Sequence, residues 1–204
     1  MRPNEATMRL ILRFEVGGGE QYYNRFLRYP TWPGEASGVT IGVGYDLGYN
    51  TRTTIRNDWS AHLNESLIER LVRCAGKTGI QARDAHASVG DIPVPWSAAL
   101  AVYENVTIPK FWQKTLRVFP GVDEVHPNCQ GALLSLVFNR GESLRGDRRR
   151  EMRAIRDLVP TKDYREIASQ IRLMKRLWLG TSIERGMSRR RDAEADLVLS
   201  ALEA

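Results

Sequence analysis

The sequence predicts an α+β fold in which a small β-containing lobe near the N-terminus precedes a larger, mostly helical lobe. Residues 20–50 are rich in glycine and proline, with β-branched and aromatic residues between them, whereas apolar residues beyond residue 57 recur at helical spacing. The chain has 204 residues, a length that suits one domain. It contains no run of about 18 apolar residues, so we expect no stable insertion into a membrane.

The chain begins with a predicted helix over residues 5–15, where apolar residues recur every three or four positions. Three consecutive glycines at 17–19 end this helix, since glycine favours the turns that follow a helix. Residues 20–50 are predicted as short strands and turns, because prolines and glycines interrupt a stretch that also contains Val39 and Ile41.

Most of the remaining chain is predicted to be helical. Residues 129–138 are almost entirely apolar, which is typical of a core helix surrounded by other helices. The other predicted helices cover about 58–75, 79–87, 97–117, 147–158, 161–177 and 188–203. We expect a single domain over 1–204. Its β-containing lobe would cover about 16–56 and its helical lobe about 57–204, with the first helix packed on the helical lobe and a cleft between the two.

The chain is basic, with 30 Lys and Arg against 24 Asp and Glu and a formal net charge of +6. The excess is concentrated late in the chain, around residues 145–153 and 189–191. These arginines form either solvated helix faces or a surface that attracts polyanions. A nucleic-acid-binding domain is the remote alternative, but no module with basic and aromatic residues interleaved is present, so we expect no nucleic acid partner.

The two cysteines indicate neither a metal site nor a redox motif. Cys74 and Cys129 lie far apart in the sequence, outside any C-x-x-C pattern, and the three histidines show no ligand spacing. We expect free buried thiols, with a disulfide as the alternative, and neither metal nor cofactor. The N-terminal residues lack the long apolar core of a signal peptide, so we expect synthesis in the cytoplasm without an export signal.

Four segments together resemble the phage-type lysozymes, most closely the pesticin-like branch. They are Glu15 at the end of the first helix, TIGVGYDLG at 40–48, ALLSLVFNRGE at 132–142 and SRRRDAEA at 188–195. The resemblance extends over about residues 8–200. It implies a lysozyme-like fold and hydrolysis of the β-1,4 bond between N-acetylmuramic acid and N-acetylglucosamine in peptidoglycan.

The resemblance also implies a set of catalytic residues. Glu15 matches the general acid, Thr40 matches the threonine that positions the attacking water, and Asp46 matches the second carboxylate of the pesticin-like branch. Many phage lysozymes carry this aspartate before the threonine, where the present sequence has none, and Glu20 and Glu35 are therefore rival carboxylates. Outside this context, a glutamate at a helix end is usually a surface residue and an aspartate beside glycine usually forms a turn.

Elementary chemistry supports an acid and an ionised partner at these positions. Cleavage of a glycosidic bond needs a protonated carboxyl on the leaving oxygen and an ionised group on the other face of the sugar. Glu15 lies between two apolar residues at a helix C-terminus, and both features favour its neutral form. Asp46 lies among glycines and polar residues, where an ionised carboxylate is better hydrated. A separation of about 6.5–9.5 Å between the carboxyls would indicate an inverting mechanism.

Four further residues are candidates for substrate binding, and each has a structural alternative. Tyr45 either stacks on a sugar ring or fills the core. Asn139 and Arg140 either reach substrate from the end of the buried helix or belong to its C-terminal cap. Arg190 either binds a wall peptide or acetamido group, or forms a salt bridge with the neighbouring acidic helix.

The predicted function is an N-acetylmuramidase that lyses bacterial cell walls as an antibacterial toxin or effector. Its partners would be peptidoglycan and an immunity protein that occludes the cleft, and we expect a monomer. Because the substrate lies in the periplasm or cell wall, delivery would require a secretion system or a holin. The alternatives are a phage endolysin with the same activity, a lytic transglycosylase that uses Glu15 alone, and an inactive binding protein.

Overall fold

The computed structural model describes residues 4–17 and 19–203 and confirms the α+β class. The fold is mostly helical, with one antiparallel sheet made of β1 (Thr40–Ile41) and β2 (Tyr45–Asp46). Thr40 pairs with Asp46 and Ile41 pairs with Tyr45. The helices are α1 (Glu5–Glu15), α2 (Gly19–Phe26), α3 (Arg52–Trp59), α4 (Glu65–Leu71), α5 (Ile80–His86), α6 (Trp96–Val102), α7 (Ile108–Val118), α8 (Pro127–Arg140), α9 (Arg150–Leu158), α10 (Tyr164–Leu173) and α11 (Glu184–Leu199).

The chain divides into two compact units. Residues 15–109 form a unit that contains the sheet and helices α2 to α6, which we call the hairpin unit. Residues 4–14 and 110–203 form a second unit that we call the helical unit. The predicted lobe boundary near residue 57 differs from this division, because Tyr45 of the sheet bonds to Asp58 of α3 and Tyr23 bonds to Val94, which ties residues before and after position 57 together.

Helix α2 corrects the prediction that residues 20–50 are wholly strand and turn. Its Tyr23 is fully buried, donates a hydrogen bond from its hydroxyl to the Val94 carbonyl at 2.9 Å and packs at a tilt against the Trp96 ring. The buried aromatic face stabilises a helix in a segment where glycine and proline had suggested turns. The predicted helix over 58–75 is likewise two helices, α3 and α4, separated by residues 60–64.

The core of the helical unit forms around α8, as predicted from its apolar sequence. Its buried residues include Cys129, Leu133 and Leu136, and α11 packs against both α8 and α10. Helix α1 approaches α8 closely, because a side chain at Gly131 would collide with Thr7. Cys129 and Cys74 are both free and buried, and burial raises the pKa of the Cys129 thiol to about 12. No helix in the described parts of the chain is long and apolar enough to span a bilayer.

Candidate active site

A pocket of about 210 Å³ in the hairpin unit contains two of the three predicted catalytic residues. Glu15 and Thr40 both line it, together with a second threonine, Thr31. The apolar part of the lining comes from Leu27, Pro33 and Val43. Among the described residues that line the pocket, Glu15 alone has an ionisable side chain. The pocket therefore combines one carboxyl group with two hydroxyl groups on an otherwise apolar wall.

Glu15 reaches the pocket because α1 ends at this residue. The following Val16 is fully buried, and Gly17 adopts a left-handed backbone conformation with φ of 63°, which takes the chain out of the helix. Glu15 itself is half-buried. Its carboxyl group therefore lies at the C-terminal end of the helix, on the wall of the pocket. A general acid must lie where it can reach the substrate, and this position on the pocket wall meets that geometric requirement.

Thr40 and Thr31 lie next to each other on two paired segments. The Thr31 amide donates to the Thr40 carbonyl at 2.9 Å, and the Thr40 amide donates to the Thr31 carbonyl at 2.7 Å. This exchange extends the two-stranded sheet by one residue pair. Sequence analysis missed Thr31, because it follows Pro30 in a loop and lies nine positions before its partner. The folded loop brings the two threonines together.

The glycines of the hairpin leave part of the pocket wall as bare backbone. Gly42 and Gly44 line the pocket and have φ values of 58° and 69°, in the left-handed region that glycine adopts readily. A side chain at Gly42 would also lie 3.0 Å from Trp59 Cη2. The turn thus needs glycine for its conformation, and it offers peptide groups to whatever occupies the pocket.

Asp46 lies directly across the sheet from Thr40 but does not line the pocket. One of its carboxylate oxygens accepts the Gly38 amide at 2.9 Å and the other accepts the Gly48 amide at 2.8 Å. A side chain at Gly38 would collide with this carboxylate, so the glycines permit the contact. Asp46 therefore fastens the loop before β1 to the turn after β2. Each oxygen retains a further lone pair, since a carboxylate accepts about four hydrogen bonds.

Tyr45 is buried, and the predicted stacking of its ring on a sugar is wrong. Its side chain is only 5% exposed and meets the edge of the Trp59 ring. Its hydroxyl donates to Asp58 at 2.7 Å, and burial together with this carboxylate raises the pKa of Tyr45. Tyr45 therefore joins the hairpin to α3 from within the core.

Three predicted substrate-binding residues lie in the helical unit. Arg190 is 4% exposed, pairs with Glu194 at 3.2 Å and contacts both the carbonyl and the hydroxyl of Ser135. A salt bridge was the structural alternative for Arg190, although the partner lies on the same helix and not on a neighbouring one, and the prediction of a substrate contact is corrected. The arginine is held by protein groups that are themselves buried.

Asn139 and Arg140 occupy the last turn of α8, and Gly141 is the residue that caps it with φ of 74°. The side-chain oxygen of Asn139 accepts a hydrogen bond from Arg191 at 3.1 Å. Arg140 lies over the Trp178 ring and donates to the Arg148 carbonyl at 2.8 Å. Burial and the neighbouring arginines lower the pKa of Arg140 to about 10.

The two rival carboxylates belong to exposed residues and do not line the pocket. Glu20 is in the first turn of α2, and Glu35 occupies a loop where its own φ is 48°. Within the described residues, no group of three or more His, Cys, Asp and Glu side chains is arranged to hold a metal ion.

Comparison with known families adds one match. A family model described as a domain of unknown function, DUF8812, matches residues 11–94. The matched segment contains Glu15, Thr40 and Asp46, and it includes every residue of the pocket lining. No curated protein matches the chain.

Proposed function

We propose that the protein is a glycoside hydrolase of the muramidase type with a lysozyme-like fold, which cleaves the β-1,4 bond between N-acetylmuramic acid and N-acetylglucosamine. The observation that carries the proposal is the pocket in which Glu15, at the end of a helix, lies with Thr40 and bare glycine backbone. The four lysozyme-like sequence segments give the substrate class.

In this proposal Glu15 is the general acid. Its half-buried carboxyl group at the helix C-terminus donates a proton to the glycosidic oxygen as the bond to the sugar C1 breaks. The positive charge that develops on the sugar ring requires an anion or a nucleophile on the opposite face. Thr40 holds a water molecule for attack on C1. Asp46, directly across the sheet from Thr40, is the ionised partner that receives the proton of this water.

A substrate-binding role stays a separate prediction for Asn139 and Arg140, which belong to the helical unit, and is withdrawn for Tyr45 and Arg190. Asn139 is exposed, and Arg140 carries a positive charge suited to the carboxylates of wall peptides. Tyr45 and Arg190 are buried among protein groups. The bare backbone of Gly42 and Gly44 offers amide and carbonyl groups to the acetamido and hydroxyl substituents of a sugar.

A lytic transglycosylase is the second candidate, favoured by one specific observation. The pocket lining contains Glu15 but not Asp46, and the Asp46 carboxylate accepts two backbone amides. An enzyme with a single carboxyl can let the C6 hydroxyl of the muramic acid attack C1 in place of water. That reaction leaves a 1,6-anhydro end, whereas hydrolysis leaves a reducing end.

The biological setting remains part of the proposal. The activity suits an antibacterial effector delivered by a secretion system and, as the alternative, a phage endolysin released through a holin. An immunity protein would act by filling the Glu15 pocket. The basic arginine clusters would favour approach to the anionic wall.

Release of soluble fragments from purified peptidoglycan tests the proposal. We expect Glu15→Gln to lower the rate of fragment release at least 100-fold, because a side-chain amide cannot transfer a proton to the glycosidic oxygen. The matched control is Glu20→Gln, which makes the same change at an exposed position outside the pocket and should remain within about twofold of the wild type. Equal rates for Glu15→Gln and the wild type would contradict the assignment.

A further inference from the structure

We propose that Thr31 is a positioning residue that shares with Thr40 the task of holding the attacking water. This inference rests on the proposed hydrolysis and adds a residue to its mechanism. Thr31 and Thr40 line the same pocket as Glu15, although they come from two segments separated by a proline- and glycine-containing loop.

The backbone pairing fixes the spacing of the two side chains. Thr31 and Thr40 exchange both of their amide–carbonyl hydrogen bonds, at 2.9 and 2.7 Å, as a directly opposed antiparallel pair does. Side chains of such a pair stand on the same face of the sheet with their Cβ atoms about 4.5–5.5 Å apart. One water molecule that bonds two hydroxyl groups at about 2.8 Å each spans up to about 5.6 Å. Since each hydroxyl oxygen is bonded directly to its Cβ, two side chains this close on one face can bring both hydroxyls to the same water.

Apart from Glu15 and the backbone of Gly42 and Gly44, the remainder of the lining is apolar. Leu27, Pro33 and Val43 provide apolar surface, and an ordered water needs two to four polar partners. The two threonine hydroxyls supply two partners in the same pocket as the proton donor. One hydroxyl alone would leave the water free to rotate and translate, and catalysis depends on a fixed direction of attack.

The reaction then balances without any further reagent. The Glu15 proton moves to the leaving oxygen as the bond between that oxygen and C1 breaks, and the water oxygen forms the new bond to C1. The water proton passes to the Asp46 carboxylate, which lies across the sheet from Thr40 and outside the pocket lining, so solvent water carries the proton there. Proton exchange with solvent returns Glu15 to its acid form and Asp46 to its ionised form.

The substitution Thr31→Val tests this role because it removes the hydroxyl and keeps the branched shape that suits an extended segment. We expect kcat on peptidoglycan to fall about 10- to 100-fold with KM changed less than about twofold, since the lost contact positions water rather than sugar. Thr31→Ser, which keeps a hydroxyl, should recover most of kcat. Thr53→Val, at an exposed threonine of α3, is the matched control and should behave as the wild type.

Product composition and a double substitution separate positioning from mere structural support. With water held poorly, the C6 hydroxyl competes better, so the fraction of 1,6-anhydro ends should rise in Thr31→Val. The double variant Thr31→Val/Thr40→Val should lose less activity than the product of the two single losses, because both residues hold the same water. Should Thr31→Val fold poorly, Thr31→Ala carries the same expectations.

Any one of four results would overturn the inference. Wild-type kcat in a folded Thr31→Val protein, or strictly multiplicative losses in the double variant, would remove the role of Thr31 while leaving the muramidase intact. A wild-type protein that produces only 1,6-anhydro ends, or cuts no glycan, would overturn the proposed hydrolysis and the water-holding role together.

Discussion

Substitution of Asp46 by asparagine should destabilise the fold as well as slow the reaction. The carboxylate accepts the amides of Gly38 and Gly48, and both glycines are buried. The asparagine side chain has one oxygen and one NH₂ group in place of the two carboxylate oxygens. The backbone amide of either Gly38 or Gly48 therefore loses its acceptor and faces the NH₂ group, which is itself a donor. A hydrogen bond to a charged group contributes about 1.5–3 kcal/mol, and an unsatisfied buried amide costs about 1–3 kcal/mol. These effects overlap, and we expect a loss of about 2–4 kcal/mol in the free energy of unfolding.

Thermal and urea unfolding measure this loss directly. For a chain of this size, about 2–4 kcal/mol corresponds to a fall of roughly 5–15 °C in Tm. Asp84→Asn is the matched control, because Asp84 lies in the same unit and its ion pair with Arg83 is exposed, so its substitution should cost less than about 0.5 kcal/mol. If Asp46→Asn unfolds together with the wild type and Asp84→Asn, the two amide contacts do not hold the hairpin and the structural reasoning fails.

Three further outcomes follow from the packing. Gly38→Ala places a methyl group against the Asp46 carboxylate and should cost about 1–3 kcal/mol in urea unfolding, whereas Gly186→Ala, with open space around it, should be neutral or stabilising; equal stability of the two variants would contradict the close packing. Burial opposes ionisation of Glu151, which is 2% exposed, but hydrogen bonds from neighbouring arginines outweigh it and lower its pKa. The contribution of ionised Glu151 to stability is therefore complete above about pH 4.3 and is lost as the pH falls through its lowered pKa. In thermal melts from pH 6 to pH 2, Glu151→Gln should lose less stability than the wild type. The same dependence of Tm on pH in both proteins would refute this. Tyr45→Phe should lose about 1–2 kcal/mol in thermal unfolding and retain most peptidoglycan-cleaving activity, and selective loss of activity would return Tyr45 to the substrate site.

Long apolar or periodic segments were predictable from the sequence, because their own side chains decide their structure. The run that forms α8 is apolar on all sides and is buried in the helical unit, and the spacing within α1 gave both of its ends. Glu15 and Thr40 were singled out by the resemblance to the phage-type lysozymes, and both line one pocket, while their catalytic role stays a prediction.

Features that depend on distant partners were missed. Helix α2 forms because Tyr23 reaches the Val94 carbonyl, and Thr31 joins the pocket by pairing with Thr40; neither contact has a local pattern. The burial of Arg190 depends on Glu194 and on Ser135 from another helix. The sequence shows which polar side chains are present, but it does not show which buried groups form hydrogen bonds with them in the folded protein.

Mass spectrometry of peptidoglycan fragments, produced in water enriched in the ¹⁸O isotope, tests the central claim most directly. Hydrolysis predicts muropeptides with reducing N-acetylmuramic acid ends that carry one ¹⁸O atom, and their loss in Glu15→Gln. Fragments cut at peptide or amide bonds, or the same fragments from Glu15→Gln as from the wild type, would contradict a glycosidase that uses Glu15 as its proton donor.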